Sequence, residues 1–356
     1  MSWKNPGLRE KIIIATKVAG PGRSFIDETR YKTLGLPIPS DNEKSLTYAP
    51  NKIRIALDAS LKRMKITYFD LYQLHWPDRS IPLWGQTLYK KEFHDKNMKS
   101  SSLKFQSKEL DETILCIGEL IKEGKIKAWG LSNETSYGMM MYCEACKRLN
   151  VPLPSTIQQD FGLLDRRFEE SLVEICSFFN IALLSYGTLN GGSLSGKYLD
   201  RVLDDNESKR LKVDELKQAA TEKSRHVSTP GFQPRYHAKR SLNAIAKYQD
   251  LALKHNISLV HLSYAWALSR FYMGSVIIGT TNVAQVIENC ASSSINLSEE
   301  IISEIDKIHD ELPNPNAKVE KGEELIFIIQ EYFQIRFFDG LKLIGKNRHL
   351  PTCNEW

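Results

Sequence analysis

The chain has 356 residues, of which 42% are hydrophobic and 26% charged, a composition typical of a globular protein with a large core. Its formal net charge of +5 is small for this length, and no basic stripe is interleaved with aromatic residues. These features exclude disordered and coiled-coil classes and predict no nucleic-acid partner.

The sequence carries no targeting or metal-binding pattern. The N-terminus has no apolar signal-peptide core, and no window of about 18 uncharged apolar residues occurs, so we expect no membrane span. Six widely spaced cysteines indicate reduced thiols and a cytoplasmic location. Cys143 and Cys146 match C-x-x-C, but no second Cys or His pair lies at zinc spacing, so we expect no metal site.

Short β-branched runs alternate along the chain with longer segments of helical period, a pattern typical of βαβ units in a parallel sheet. We expect six strands, at 11–18, 68–76, 126–132, 156–159, 181–186 and 274–279. The expected helices cover 50–64, 108–123, 137–149, 168–179, 241–255, 259–269, a segment from about 282, and 297–312. A charged stretch at 200–225 is expected to form a loop or lid.

Six such units fit either an open doubly wound sheet or most of a (β/α)8 barrel. An open nucleotide-binding sheet usually carries Gly-x-Gly-x-x-Gly after its first strand. Residues 19–23 instead read AGPGR, and their proline and spacing break that fingerprint. A barrel places its chemistry at the carboxyl end of every strand, which is where polar residues occur in this sequence. The barrel is therefore favoured.

Polar residues close all six apolar runs. They are Lys17, His75, Ser132 with Asn133, Gln158, Tyr186, and Gly279 with Thr280 and Thr281. One polar residue at a strand end is often only the first solvated position. A polar residue at each of six strands indicates a site.

Six segments, in this order between Arg9 and Leu312, carry a resemblance to a known family: REKIIIATK, YFDLYQLHWPDR, GKIKAWGLSNE, TIQQDFGLLDRRFE, LLSYGTLNGGSLSGKYL and IIGTTNVAQVIEN. The chain resembles the aldo-keto reductases, in particular their bacterial Tas-like branch, which is related to the potassium-channel β subunits. The resemblance implies a (β/α)8 TIM barrel. It also implies an oxidoreductase that uses NADP(H) to reduce small aldehydes or ketones to alcohols.

By this resemblance Lys17 and His75 match the catalytic lysine and histidine. Carbonyl reduction needs a proton donor as well as a hydride donor. An ammonium group makes a neighbouring tyrosine a better acid, and a histidine orients or polarises the carbonyl oxygen.

The resemblance also implies an NADP(H) site along the remaining strand ends. Ser132, Asn133 and Gln158 match the nicotinamide carboxamide ligands, and Tyr186 matches the aromatic residue that stacks on the nicotinamide ring. The pyrophosphate loop is matched by Gly187, Thr188, Leu189, Gly191 and Lys197. The segment for the adenosine 2′-phosphate and adenine is matched by Gly279, Thr280, Thr281, Gln285, Glu288 and Asn289. Arg235 is a further candidate for a phosphate contact.

The sequence departs from the family at its front. The family's Tyr and Asp lie in a D-x-A-x-x-Y pattern on the strand before the first one seen here, and no such pattern occurs in the chain. We therefore expect a barrel that lacks its first two β/α units. Three alternatives remain: another residue donates the proton, the chain is a shortened version of a complete reductase, or it is a non-catalytic NADP(H)-binding or interaction protein.

The sequence also predicts two regions, an incomplete barrel at 1–316 and a C-terminal extension at 317–356. The apolar stretch 324–344 of the extension is expected to pack on the barrel. Four aromatic residues are candidates for lining the substrate pocket: Trp76, Trp84, Trp129 and Phe161. The sequence defines neither the physiological carbonyl substrate nor the oligomeric state.

Overall fold

A computed structural model describes residues 7–20, 48–99, 108–199, 224–228 and 232–317. Most of the expected loop at 200–225 lies outside these ranges, as does the extension beyond residue 317. The six strands and the helices given below lie within these ranges.

Six parallel strands form one sheet, and their order in the sheet is their order in the chain. They are β1 (Ala15–Val18), β2 (Phe69–Leu74), β3 (Ile126–Ser132), β4 (Thr156–Asp160), β5 (Ala182–Tyr186) and β6 (Met273–Val276). A sheet in which every strand pairs with the previous one is the arrangement of a (β/α)8 barrel, whereas a doubly wound sheet reverses its order. The predicted barrel-type sheet is confirmed.

Nine helices of at least two turns connect or flank these strands in the described ranges. They are α1 (Pro50–Met64), α2 (Lys91–Lys99), α3 (Lys108–Lys122), α4 (Ser136–Leu149), α5 (Phe168–Phe178), α6 (Lys239–Lys254), α7 (Leu259–Leu268), α8 (Val283–Ala291) and α9 (Glu299–Glu311). None of them has the length and apolar character needed to cross a lipid bilayer.

Local signals in the sequence explain where several helices begin. Pro50 occupies the first turn of α1, where its missing N–H costs nothing. The side chains of Thr135, Ser258, Asn282 and Ser298 accept hydrogen bonds from backbone N–H groups at the starts of α4, α7, α8 and α9. Such caps satisfy N–H groups that have no partner within the helix.

Two strand ends and one helix differ most from the expectation. Strand β1 begins at Ala15 rather than at residue 11, because the Asp70 carboxylate accepts the Ile14 N–H at 2.9 Å. Strand β6 ends at Val276 rather than at residue 279, because its partner strand β5 ends at Tyr186. Helix α2 lies in a segment expected to be a loop. Its sequence is charged and exposed and has no apolar stripe, so it carries no pattern that predicts a helix.

The two faces of the sheet differ in composition. One face is covered by helices and consists of buried apolar side chains, namely Val18, Tyr72, Leu74, Trp129, Leu131, Ile157 and Leu183. On the opposite face, Lys17 is in register with Gln73, Gln73 with Gly130, Gly130 with Thr156, and Thr156 with Ala182. Partners in parallel register share a face. This second face, which carries Lys17, Gln73 and Thr156, is therefore the interior of the barrel.

Gly130 of β3 is in register with Thr156 of β4 on the inner face. A Cβ at this position would collide with Thr156 Oγ1 and lie 2.6 Å from the Thr156 carbonyl oxygen. We expect Gly130→Ala to lower the free energy of unfolding by about 1–3 kcal/mol, measured by urea denaturation. Gly279→Ala, with nothing within 4 Å of the added Cβ, is the control. Equal losses in both variants would contradict the expected collision.

Candidate active site

The sheet brings five of the predicted site residues to one end of its inner face. Lys17, Ser132 and Tyr186 are at or next to the last residue of their strands, Gln158 lies two residues before the end of β4, and His75 directly follows β2. Because side chains alternate along a strand, His75 lies on the same face as Gln73, and Ser132 on the same face as Gly130. Except for buried Ser132, these five side chains are half-buried.

Lys17 is held by a hydroxyl group. Its Nζ donates to Ser132 Oγ at 3.2 Å, and within the described ranges no carboxylate forms an ion pair with it. Burial lowers the pKa of Lys17 to about 8, because a charged amine loses hydration there. The ammonium therefore predominates at neutral pH, with a substantial fraction of free amine.

Asn133 joins three strands. Its Nδ2 donates to the His75 carbonyl oxygen at 2.9 Å and to Ser132 Oγ at 3.1 Å, and its Oδ1 accepts from the Tyr186 hydroxyl at 2.6 Å. Its backbone is left-handed, with φ 55°, a conformation that asparagine tolerates better than most residues. Both amide hydrogens of this expected carboxamide ligand are thus engaged inside the protein.

A continuous hydrogen-bonded row results, from Lys17 through Ser132 and Asn133 to Tyr186. Burial raises the pKa of the Tyr186 hydroxyl far above its usual range, so this group remains a hydrogen-bond donor. The row fixes the side chains at the ends of β1, β3 and β5 relative to one another.

The chain turns sharply after β5. Gly187 has φ 75°, and a Cβ there would collide with Asp160 Oδ1 and lie 2.7 Å from the Tyr236 hydroxyl. The glycine at this position is therefore required by the turn. Thr188 is buried, and its hydroxyl lies 2.7 Å from Ser185 Oγ, which anchors the start of the loop to the strand.

The rest of this loop exposes backbone beside a lysine. Gly192 has φ 98°, and a Cβ there would lie 2.9 Å from Lys197 Nζ. Burial lowers the pKa of Lys197, and no carboxylate pairs with it among the residues described. A left-handed glycine and an amine without a carboxylate partner form a surface suited to an anion.

The segment after β6 is ordered by its own side chains. Gln285 Oε1 accepts from the Thr281 N–H at 2.8 Å and from the Thr281 hydroxyl at 3.1 Å, while Asn282 Oδ1 caps Gln285 N at 2.9 Å. Gln285, Glu288 and the buried Asn289 lie on one face of α8, and Gly279 and Thr280 are exposed. Hydrogen bonds thus join Thr281, Asn282 and Gln285 at the start of α8, while Glu288 and Asn289 lie further along the helix.

Arg235 is engaged elsewhere than expected. Its guanidinium is 2% exposed and donates to the Asp160 carboxylate and to Gln233. The Tyr236 hydroxyl also donates to Asp160 Oδ2, at 2.8 Å. The guanidinium is thus paired with a buried carboxylate, and the suggested phosphate contact stays a prediction. Asp160, which closes the strand TIQQD, is the feature of the sequence that could have indicated a buried partner for Arg235.

The model of the aldo/keto reductase family matches residues 2–310. The chain belongs to the aldo-keto reductase family. "Protein tas" of Escherichia coli K12 is 31% identical over 303 residues, 85% of this chain and 76% of that protein. A putative voltage-gated potassium channel subunit beta of Schizosaccharomyces pombe is 24% identical, covering 71% of this chain and 62% of its own. An E. coli NADH-specific methylglyoxal reductase is 26% identical, covering 73% and 64%. The predicted family and branch are confirmed.

Two aromatic residues expected to line the pocket of this aldo-keto reductase instead lie in its core. Trp129 is 1% exposed, and its Nε1 donates to the Pro152 carbonyl oxygen at 2.7 Å. Phe161 is fully buried and stacks on Trp266 with ring centroids 5.4 Å apart. Trp76 is also buried, at 6% exposed, and lies beside His75 with ring centroids 4.4 Å apart. Side chains alternate along β3, and Trp129 falls between two inner-face positions. Its side chain therefore lies on the helix-covered face, in the core.

The C-x-x-C cysteines of this aldo-keto reductase are core residues of α4. Cys143 and Cys146 are both fully buried, and burial raises the pKa of each thiol to about 12. Thiols of this kind remain protonated and act as small apolar side chains rather than as thiolate ligands or nucleophiles.

Proposed function

We propose that this aldo-keto reductase binds NADP(H) along the carboxyl ends of β3 to β6 and reduces small aldehydes or ketones beside Lys17 and His75. The observation that supports this best is the hydrogen-bonded row at the strand ends, which runs from Lys17 to Tyr186. It holds a cation and an aromatic ring on one half-buried face, as a carbonyl and a nicotinamide ring require.

The residues present fit a dinucleotide. The Gly192 turn beside Lys197 would hold the pyrophosphate, because backbone can approach closely there and the amine supplies charge. Gln285 and the N-terminal end of α8 would hold the adenosine phosphate, and Gln158 with Ser132 the carboxamide. When bound, the dinucleotide would supply the hydride.

The proton must come from the protein or from water. We assign this role to the Lys17 ammonium, with His75 orienting the carbonyl oxygen, since these two residues match the catalytic positions. An acid with a pKa near the working pH transfers a proton most effectively, and the pKa of Lys17 is about 8.

This assignment predicts a pH dependence. Lys17 is protonated below its pKa, so turnover should be constant below about pH 8 and fall about tenfold per pH unit above it. The measurement is the loss of reduced-nicotinamide absorbance with a reactive aldehyde, using NADPH and NADH in parallel. Lys17→Met should abolish the turnover, whereas Lys62→Met, on the exposed face of α1, should leave it unchanged. A rate that stays constant through pH 9 would overturn the assigned donor.

A second candidate function is nucleotide binding without turnover, since more residues of this chain match cofactor positions than catalytic positions. Fluorescence titration with NADPH separates the two. Binding with turnover supports the reductase, binding without turnover supports the second function, and no binding of either nucleotide overturns the cofactor site.

A further inference from the structure

Lys17 offers a chemistry that carbonyl reduction does not use. We propose that the Lys17 amine forms a covalent imine with small aldehydes at the carboxyl end of the sheet. The proposal shares the carbonyl substrate of the proposed function, but it needs no nucleotide, so the two can be tested apart.

The surroundings of Lys17 are those of a nucleophile rather than of a structural cation. Its Nζ contacts the Ser132 hydroxyl at 3.2 Å, and the residue in register with Lys17 on the neighbouring strand is Gln73. The Asp160 carboxylate on the same face is occupied by Arg235. Within the described part of the chain, Lys17 therefore has no acidic partner to hold it as an ammonium.

Other lysines show the contrast. Lys125 pairs with Asp58 at 2.9 Å and Lys254 with Glu304 at 2.7 Å, and these carboxylates raise the pKa of both amines. The pKa of Lys17 is instead lowered to about 8, so about a quarter of its amine is neutral at pH 7.5, against about 0.1% for an ordinary lysine. Desolvated lysines of this kind form Schiff bases with carbonyl compounds.

The step balances without an oxidant or reductant. The amine lone pair attacks the aldehyde carbon, a C–N bond forms, and an N–H proton moves to the former carbonyl oxygen. The resulting hydroxyl takes a proton from solvent and leaves as water, which gives the protonated imine. The Lys17 side chain at the end of β1 is half-buried rather than enclosed, so a small aldehyde can approach it from solvent.

The test uses the full chain, propanal and cyanoborohydride, with no nucleotide. Cyanoborohydride delivers hydride to the imine carbon and leaves a stable secondary amine, which peptide mapping by mass spectrometry locates. We expect Lys17 to be labelled about tenfold faster than exposed Lys62, since the larger neutral fraction outweighs the lower basicity. The rate constant for imine formation should rise with pH and level off near pH 8, opposite to the expected turnover profile.

Matched variants decide the result. Lys17→Arg keeps a positive charge but removes the nucleophile, and it should abolish the fast labelling, while Lys62→Arg should leave it intact. Labelling of Lys17 at the rate of Lys62, or fast labelling that persists in Lys17→Arg, would overturn the proposal. Circular dichroism of each variant checks the fold. Fast labelling without NADPH binding would support the imine and reject the proposed function, and the reverse outcome would reject only the imine.

Discussion

Asn133→Ala is expected to lower the free energy of unfolding by about 3 kcal/mol and to weaken NADPH binding at least about tenfold. About 1 kcal/mol comes from placing alanine at φ 55°. The rest comes from the His75 carbonyl, Ser132 and Tyr186, which lose their partner in a partly buried site. Urea denaturation measures the first effect, and fluorescence titration measures the second.

Asn150→Ala is the matched control for this prediction. Asn150 also has a left-handed backbone, with φ 52°, but it is exposed at the end of α4 and joins no strands. Asn150→Ala should lower the free energy of unfolding only by the cost of placing alanine in a left-handed backbone, and it should leave NADPH binding unchanged. If the two variants lose equal stability, the hydrogen bonds of Asn133 contribute nothing measurable and its role as a connector is rejected.

Arg235→Met is expected to destabilise the fold by about 3–5 kcal/mol, because it leaves the Asp160 carboxylate buried without its counter-charge. Burial raises the pKa of Asp160, and the Arg235 guanidinium opposes that rise. Without the guanidinium, the pKa of the folded-state carboxyl lies further above its unfolded value. The loss in the free energy of unfolding caused by Arg235→Met should therefore become smaller as pH falls and the Asp160 carboxyl is protonated. Denaturation at pH 7 and pH 4 measures both effects.

Two comparisons sharpen this second prediction. Arg54→Met removes an exposed pair with Glu119 and Glu123 and should cost less than about 1 kcal/mol. Combining Arg235→Met with Asp160→Leu should recover much of the loss, since no lone charge is then buried. A double variant as unstable as Arg235→Met alone would show that shape, rather than charge, sets the cost.

The sequence predicts some elements to the residue and misses others for physical reasons. Strand β3 is apolar and flanked by Gly124 and Asn133, and α1 begins at Pro50, so their ends are marked locally. The charged helix α2 has no apolar stripe and resembles a solvated loop. The Asp70 contact that delays the start of β1 joins residues 56 apart, so no local pattern reports it.

The candidate site is likewise only partly predictable. Its residues can be identified from the sequence, because each polar residue closes an apolar run. Their partners are not, because Tyr186 meets Asn133 across 53 residues and Arg235 meets Asp160 across 75. Both contacts depend on which strands are neighbours, and that is known only once the sheet has formed.

The sequential order of the strands has a consequence for biosynthesis. Each strand from β2 to β6 pairs with the strand that precedes it in the chain, so its partner has already left the ribosome when it emerges. The sheet can therefore grow at a single edge during translation, without waiting for a distant segment. The row from Lys17 to Tyr186 would close when β5 docks, before β6 and the helix that follows it have been synthesised.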